Sequence, residues 1–229
     1  MEESPLFWPA YLKDGTLHVL DETLIPTKVK YIPVKNTKEA VKLIRDMKTR
    51  AFGQFLVVLN TFLVELKRNK GLAPAKMVKL IQETAKSLNA SRPTFPFADV
   101  TSIVVGWAHK AVKEKADVYT YLENHIFGFI NGIRYRRLER VSKIANLIQH
   151  GDSVLTHCNV SGELAMAAAM CKKENKKVRF YATETRPYFQ GAKLTAWELN
   201  LVGAQVTLVL DNAVGSLMAE RLVNRVIIG

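Results

Sequence analysis

The sequence predicts an α/β fold: an N-terminal β-hairpin plus helical domain, followed by a Rossmann-like parallel-sheet domain that is incomplete in this chain. Three observations predict it. Two short β-type runs flank Asp14-Gly15, the signature of a two-residue hairpin loop. Apolar residues then recur at helical spacing through much of 37–150. From residue 151, short strand-like runs alternate with helix-forming runs, as in a doubly wound sheet. The expected organisation is a small β element over 1–36, a helical domain over 37–150, and the first part of a Rossmann-like domain over 151–229.

In order, Tyr11-Leu12 and Leu17-His18-Val19-Leu20 form the hairpin, and Pro26 and Pro33 punctuate an extended stretch. Thr37 is the expected N-cap of the first helix, with Ala40, Leu43, Ile44 and Met47 on one face. A more apolar helix runs through Phe55, Leu59, Phe62 and Leu66, and Gly71 and Pro74 end it. Met77, Leu80, Ile81, Thr84, Ala85 and Leu88 give another stripe. Two prolines in 91–96 exclude a continuous helix there. Helical patterns return over about 98–115 and 117–149. Strands follow at 153–157, 177–182 and 205–210, with helices at 162–174, 192–201 (closed by Gly203) and about 216–220. A last strand over 223–228 is expected to be buried on both faces, and a complete doubly wound domain would turn there into another helix, so the chain reads as a fragment.

Composition narrows the function classes. No run of about 18 apolar residues exists, so a membrane span is not expected. Met1-Glu2-Glu3-Ser4-Pro5 lacks the basic start and apolar core of a signal peptide. Two cysteines, Cys158 and Cys171, cannot build a disulfide scaffold, so a reduced, cytoplasmic setting is the simpler reading. The net charge of +12 sits mostly in residues 1–151, with 24 Lys/Arg against 14 Asp/Glu, while 152–229 has 9 against 7. A nucleic-acid groove, a site for a doubly charged phosphate ester and a lysine-rich helical surface all fit that bias. The run Arg134-Tyr135-Arg136-Arg137-Leu138-Glu139-Arg140 would spread its charges around a helix, which favours a solvated face over nucleic-acid binding.

Parallel sheets collect ligands beyond the carboxyl ends of their strands. The first such loop is Thr156-His157-Cys158-Asn159-Val160-Ser161-Gly162. Cys158 there reads either as a reactive thiol near a helix start or as a small buried hydrophobe. Cys171, mid-helix, reads as core, and the pair makes a poor metal site. In the second loop, Arg186 could bind phosphate or pair internally with Glu184. Asp211, followed by Asn212, could bond a sugar hydroxyl or cap the next helix. Arg92, beside the double-proline turn, is an anion candidate with a stiff backbone, or a solvated arginine.

Together these loops resemble a known family. Thr156-His157-Cys158-Asn159, then the block from Glu184-Thr185-Arg186-Pro187 through Gln190-Gly191-Ala192 to Trp197-Glu198-Leu199, then Asp211-Asn212, is similar to the core signature of methylthioribose-1-phosphate isomerases. Their superfamily includes the regulatory subunits of translation initiation factor 2B and ribose-1,5-bisphosphate isomerase. Leu20-Asp21-Glu22-Thr23-Leu24-Ile25-Pro26 and Arg92-Pro93-Thr94 resemble the same family. The resemblance implies a dimer, an active site between the two domains, and no metal or organic cofactor. It implies that Cys158 and an aspartate serve the conversion of a 1-phosphorylated aldose to the ketose 1-phosphate. Arg50, Arg92 and Gln190 would hold the phosphosugar, with Asn159, Glu184, Arg186, Asp211 and Asn212 as possible support. A non-catalytic, phosphate-binding regulatory subunit is one alternative, and a ribose-1,5-bisphosphate isomerase is the alternative within the enzyme class.

Two departures stand out. The family pattern Arg-Gly-Ala-Pro-Ala-Ile-Gly reads here as Arg50-Ala51-Phe52-Gly53-Gln54-Phe55, which sets a bulky Phe52 beside the expected phosphate site. Glu163, after Val160-Ser161-Gly162, adds a carboxylate that could repel phosphate. The family's catalytic aspartate lies in a Gly-Ala-Asp-Arg motif, of which Gly229 matches only the first residue. The 229-residue chain is therefore expected to show no turnover of methylthioribose-1-phosphate, and clear activity in a direct assay would refute this.

Overall fold

Asp14 and Gly15 adopt φ of 51° and 79°, the two positive values that a tight hairpin loop needs. They join β1 (Ala10–Lys13) to β2 (Thr16–Leu20) as an antiparallel pair. In this computed structural model, which describes residues 3–228, the extended stretch after Pro26 contains a strand that the sequence reading did not assign, β3 (Tyr31–Val34). It pairs with β2 and places Pro33 opposite His18. The sheet order β1-β2-β3 puts β3 at an edge, where a residue without an N–H is tolerated. Met1, Glu2 and Gly229 lie outside the described residues, and with them the start of the segment read against a signal peptide and the glycine matched to the aspartate motif.

Five helices follow: α1 (Thr37–Arg45), α2 (Ala51–Arg68), α3 (Pro74–Asn89), α4 (Phe97–Lys113) and α5 (Val118–Leu147). The first is capped by Asn36 rather than Thr37. Asn36 accepts from the Glu39 N–H at 2.9 Å, and the Glu39 carboxylate accepts from the Lys35 N–H at 2.7 Å. Thr37 instead donates its N–H and hydroxyl to Glu65, at 2.7 and 2.8 Å. α2 is buried around most of its circumference, from Gly53 to Leu66 except Phe55, which identifies it as the central helix of its unit.

The chain packs as two units that divide within α5. One comprises Pro9–Thr23 and Val29–Arg134; the other comprises Leu24–Lys28 with the described parts of Met1–Trp8 and Tyr135–Gly229. The second unit is built on a parallel sheet of order β6-β5-β4-β7, where β4 is Ser153–Thr156, β5 Arg179–Thr183, β6 Gln205–Val209 and β7 Arg225–Val226. Its helices are α6 (Glu163–Lys173), α7 (Ala196–Leu201) and α8 (Val214–Ala219). Phe7, Val154, Phe180, Leu164, Cys171 and Leu199 share its core with Val141, Ala145 and Ile148. Cys171 is thus core, as its mid-helix position predicts, and burial raises its thiol pKa.

Two expectations are corrected. The final strand is short and not buried on both faces, since Val226 and Ile228 are 52% and 62% exposed. β6 and β7 are edge strands, and α8 buries none of its side chains against either. The basic run 134–140 is not a uniformly solvated face. Arg137 bonds Glu163 at 2.9 Å with side-chain exposures of 5% and 6%, donates to the Ser161 carbonyl at 2.6 Å, and lies 4.8 Å above the Phe7 ring. Arg140 clasps the same carboxylate through two bonds of 3.0 and 2.8 Å.

Candidate functional site

Chain geometry at the rim of the parallel sheet is unusual. β4 ends at Thr156, and Cys158, half-buried, has φ of 62°; Ser161 follows at 47°. Thr185 and Phe189, beyond the end of β5, have φ of 61° and 58°. Left-handed backbone is disfavoured for such side chains, most for β-branched Thr185, by roughly 1–3 kcal/mol per residue. Four such residues at one rim are held by specific bonds. The Cys158 N–H donates to Thr185 Oγ1 at 2.9 Å, and the Cys158 carbonyl accepts from Thr195 Oγ1 at 2.6 Å. The cysteine backbone is therefore fixed from both sides while its side chain keeps partial solvent access.

Two glycines make this packing possible. Gly162 has φ of +81°, and a Cβ there would lie 2.5 Å from the Phe7 nitrogen. A Cβ on Gly191 would fall onto the Thr183 carbonyl oxygen. Gly191 opens a π-helical turn, Gly191–Thr195, that runs directly into α7. Gln190 immediately precedes that turn in helical conformation and is half-buried.

The two carboxylates beyond β5 and β6 are both engaged within the rim. Asp211 accepts from two consecutive N–H groups, Thr185 and Arg186, both at 2.8 Å. It makes no side-chain cap of α8 and clamps the loop after β5. Those donors, Arg186 first and Thr185 second, hold the Asp211 carboxyl below the usual carboxylate range. Arg186 takes the internal option and bonds Glu184 at 2.9 Å, with its guanidinium 5.1 Å over the Phe189 ring. Glu184, Arg186, Leu210, Asp211 and Asn212 line an open cavity of about 370 Å³. Glu163 does not project toward a ligand, because Arg137 and Arg140 occupy both of its oxygens. That removes the expected source of repulsion. Burial pushes Arg137 down to about 10, which leaves it cationic at neutral pH.

The helical unit carries its own anion candidates. Arg50 stands at the N-terminus of α2, and its N–H donates to the buried Glu22 carboxylate at 3.1 Å; Thr49 Oγ1 bonds the same oxygen. Burial, opposed by these bonds, raises the Glu22 pKa. Arg92 donates to Gln54 Oε1 at 2.8 Å and lies 4.8 Å over the Phe95 ring. Gln54 in turn donates to the Thr49 carbonyl at 2.9 Å. Residues 50 and 92, distant in sequence, thus join one network through Gln54 and Thr49. Arg92 is half-buried and engaged, not a solvated arginine. Phe52 sits half-buried in the first turn of α2.

Sequence reasoning missed Glu22, Gln54, Thr185 and Thr195, although all four lie inside the quoted motifs. The bonds that tie them into the site reach partners 5 to 38 residues away, and no local signal identifies them.

Comparison with known proteins agrees with this architecture. The chain is 31% identical to the methylthioribose-1-phosphate isomerase of Carboxydothermus hydrogenoformans, over 96% of this chain and 66% of that protein. It is 32% identical to the enzyme of that name from Desulforudis audaxviator, over 96% and 65%. The chain therefore spans just under two thirds of the length of these relatives. Among solved structures it is similar to translation initiation factor eIF-2B, subunit delta, from A. fulgidus, with a TM-score of 0.79 and 26% identity, covering 97% of this chain and 67% of that one. The fold also matches 5-methylthioribose 1-phosphate isomerase from Pyrococcus horikoshii, with a TM-score of 0.81 and 19% identity, over 100% and 68%. Residues 54–229 match the model of the initiation factor 2 subunit family, so the chain belongs to that family.

Proposed function

We propose that this chain supplies the thiol and the anion-binding residues of an aldose-ketose isomerase. Its substrate would be S-methyl-5-thioribose-1-phosphate or a related 5-deoxypentose 1-phosphate. The observation that carries the reading is Cys158: a half-buried thiol at a strand tip, on left-handed backbone that Thr185 and Thr195 hold in place. Strain held at a strand end, where parallel sheets collect ligands, supports the reading. The relatives named methylthioribose-1-phosphate isomerase, at 31% and 32% identity, support the same reading.

The chemistry suits such a group. A phosphate on C1 locks the sugar as a ring, so an acid must assist ring opening before hydrogen moves between C2 and C1. A positioned thiol can carry a proton in that sequence, and such assistance is worth roughly 10²–10⁴-fold. Arg50 and Arg92 are the proposed phosphate-holding cations, and Gln190 a proposed hydroxyl partner. Asn159, Glu184, Arg186, Asp211 and Asn212 shape the rim. A homodimer in the cytoplasm belongs to the same reading.

The test is Cys158→Ala in a form of the protein that turns over methylthioribose-1-phosphate. Turnover is expected to fall at least about 10²-fold with circular dichroism unchanged. A normal rate would discard the assignment of the cysteine. A second reading, a non-catalytic phosphate-binding subunit, draws on the 26% identity to the delta subunit and on Phe52 beside Arg50. It expects phosphosugar binding without turnover in every form of the protein.

A further inference from the structure

Glu198 in α7 is 3% exposed, yet no element of the proposed chemistry uses it. Its carboxylate accepts from Asn159 Nδ2 at 2.7 Å and from Ser4 Oγ at 2.5 Å. The second hydrogen of Asn159 Nδ2 goes to Thr195 Oγ1 at 3.0 Å, and Asn159 Oδ1 accepts the Ser161 N–H at 2.9 Å. Both amide hydrogens and the carbonyl oxygen are thereby engaged, which fixes the orientation of the amide. Thr195 Oγ1 spends its own hydrogen on the Cys158 carbonyl. Glu198 therefore anchors an unbroken chain of bonds that ends on the backbone of the turn 158–161. That turn contains two left-handed residues, which persist only where the surroundings over-determine them. Arg137, whose cationic form the Glu198 charge favours, bonds the Ser161 carbonyl in the same turn.

We propose that Glu198 is the positioning residue of the Cys158 turn, acting through Asn159 and Thr195 to hold the thiol in its strained, half-buried setting. Ser4, which donates its hydroxyl to the same carboxylate, ties the N-terminal segment to the site. The assignment deepens the isomerase reading and rests on Cys158 being its reactive thiol. An ordinary buried carboxylate would stabilise the fold without governing that thiol, so thiol chemistry separates the two roles.

The probe is iodoacetamide, applied to the native 229-residue chain, with alkylation followed separately at each cysteine by mass spectrometry. Cys171, 1% exposed, reports unfolding, because it reacts only when the core opens. In Glu198→Ala the turn relaxes, and alkylation of Cys158 is expected to rise at least about fivefold while Cys171 stays protected. Glu198→Gln retains an acceptor for Asn159 and offers an N–H to Ser4 Oγ, so its rate should stay within about twofold of the parent. A parent-like rate in folded Glu198→Ala, or equal acceleration in Glu198→Gln, overturns the proposal. Should Cys171 react in Glu198→Ala, Thr195→Val decides: it cuts the same chain next to the cysteine and must accelerate Cys158, and a parent-like rate there overturns the proposal too. Failure of the isomerase reading would leave these rates untouched, since they require no turnover.

Discussion

Glu163→Ala is expected to lower the stability of the sheet unit by about 3–5 kcal/mol, measured as a shift in the chemical-denaturation midpoint. The magnitude follows from what the mutation leaves behind. Arg137 is buried, and Glu163 is its close ionic partner at 2.9 Å. The Ser161 carbonyl and the Phe7 ring beside it carry no full charge, and the Glu198 and Glu3 carboxylates favour the cation less strongly than Glu163 does. Removing the carboxylate takes away the strongest counter-charge of a cation in a poorly hydrated setting, and desolvation is already the largest influence on that guanidinium. Arg140, half exposed, would be released to solvent at little cost. Arg137→Met combined with Glu163→Leu, by contrast, should recover much of the loss, because two well-packed apolar groups need no counter-charge. A single variant with parent-like stability would show that water reaches Arg137.

Phe7→Ala should cost a similar amount, about 3–5 kcal/mol, as expected for truncating a fully buried phenyl ring. Phe7 has no exposed surface and packs among Val154, Leu164, Phe180 and Leu199. Its backbone also abuts Gly162 at the entry to α6, and its ring lies under Arg137. The loss therefore falls on one core and on the helix start that follows the cysteine turn. Equilibrium unfolding should register it as an earlier midpoint, whereas Phe7→Leu should lose less. A loss under about 1 kcal/mol would mean that residues 3–8 contribute little to this core.

How much of this was legible depended on the range of each interaction. The Asp14-Gly15 loop, the stripe from Met77 to Leu88 and the alternation after 151 were all readable, because each is written within a few residues. β3 escaped because Pro33 argues against a strand unless the strand lies at an edge, and edge position is a property of the whole sheet. The arginine run misled for a similar reason. Around an isolated helix its charges point in all directions, but Glu163, more than twenty residues on, captures two of them. Cys158, Arg92 and Asp211 could be nominated from position and resemblance. Their bonding could not be, since Ser4 meets Glu198 across 194 positions and Asp211 meets Thr185 across 26.

Asp211 follows the third strand of the sheet, yet the peptide groups it grips belong to the segment leaving the second. The alignment of β6 against β5, Gln205 with Arg179 through Val209 with Thr183, therefore dictates where Arg186 begins. Residues with no chemistry of their own become a ruler for the loop. A slip of one position along that ruler would carry the carboxylate away by about 3.3 Å and redraw the rim without altering any residue that faces a ligand.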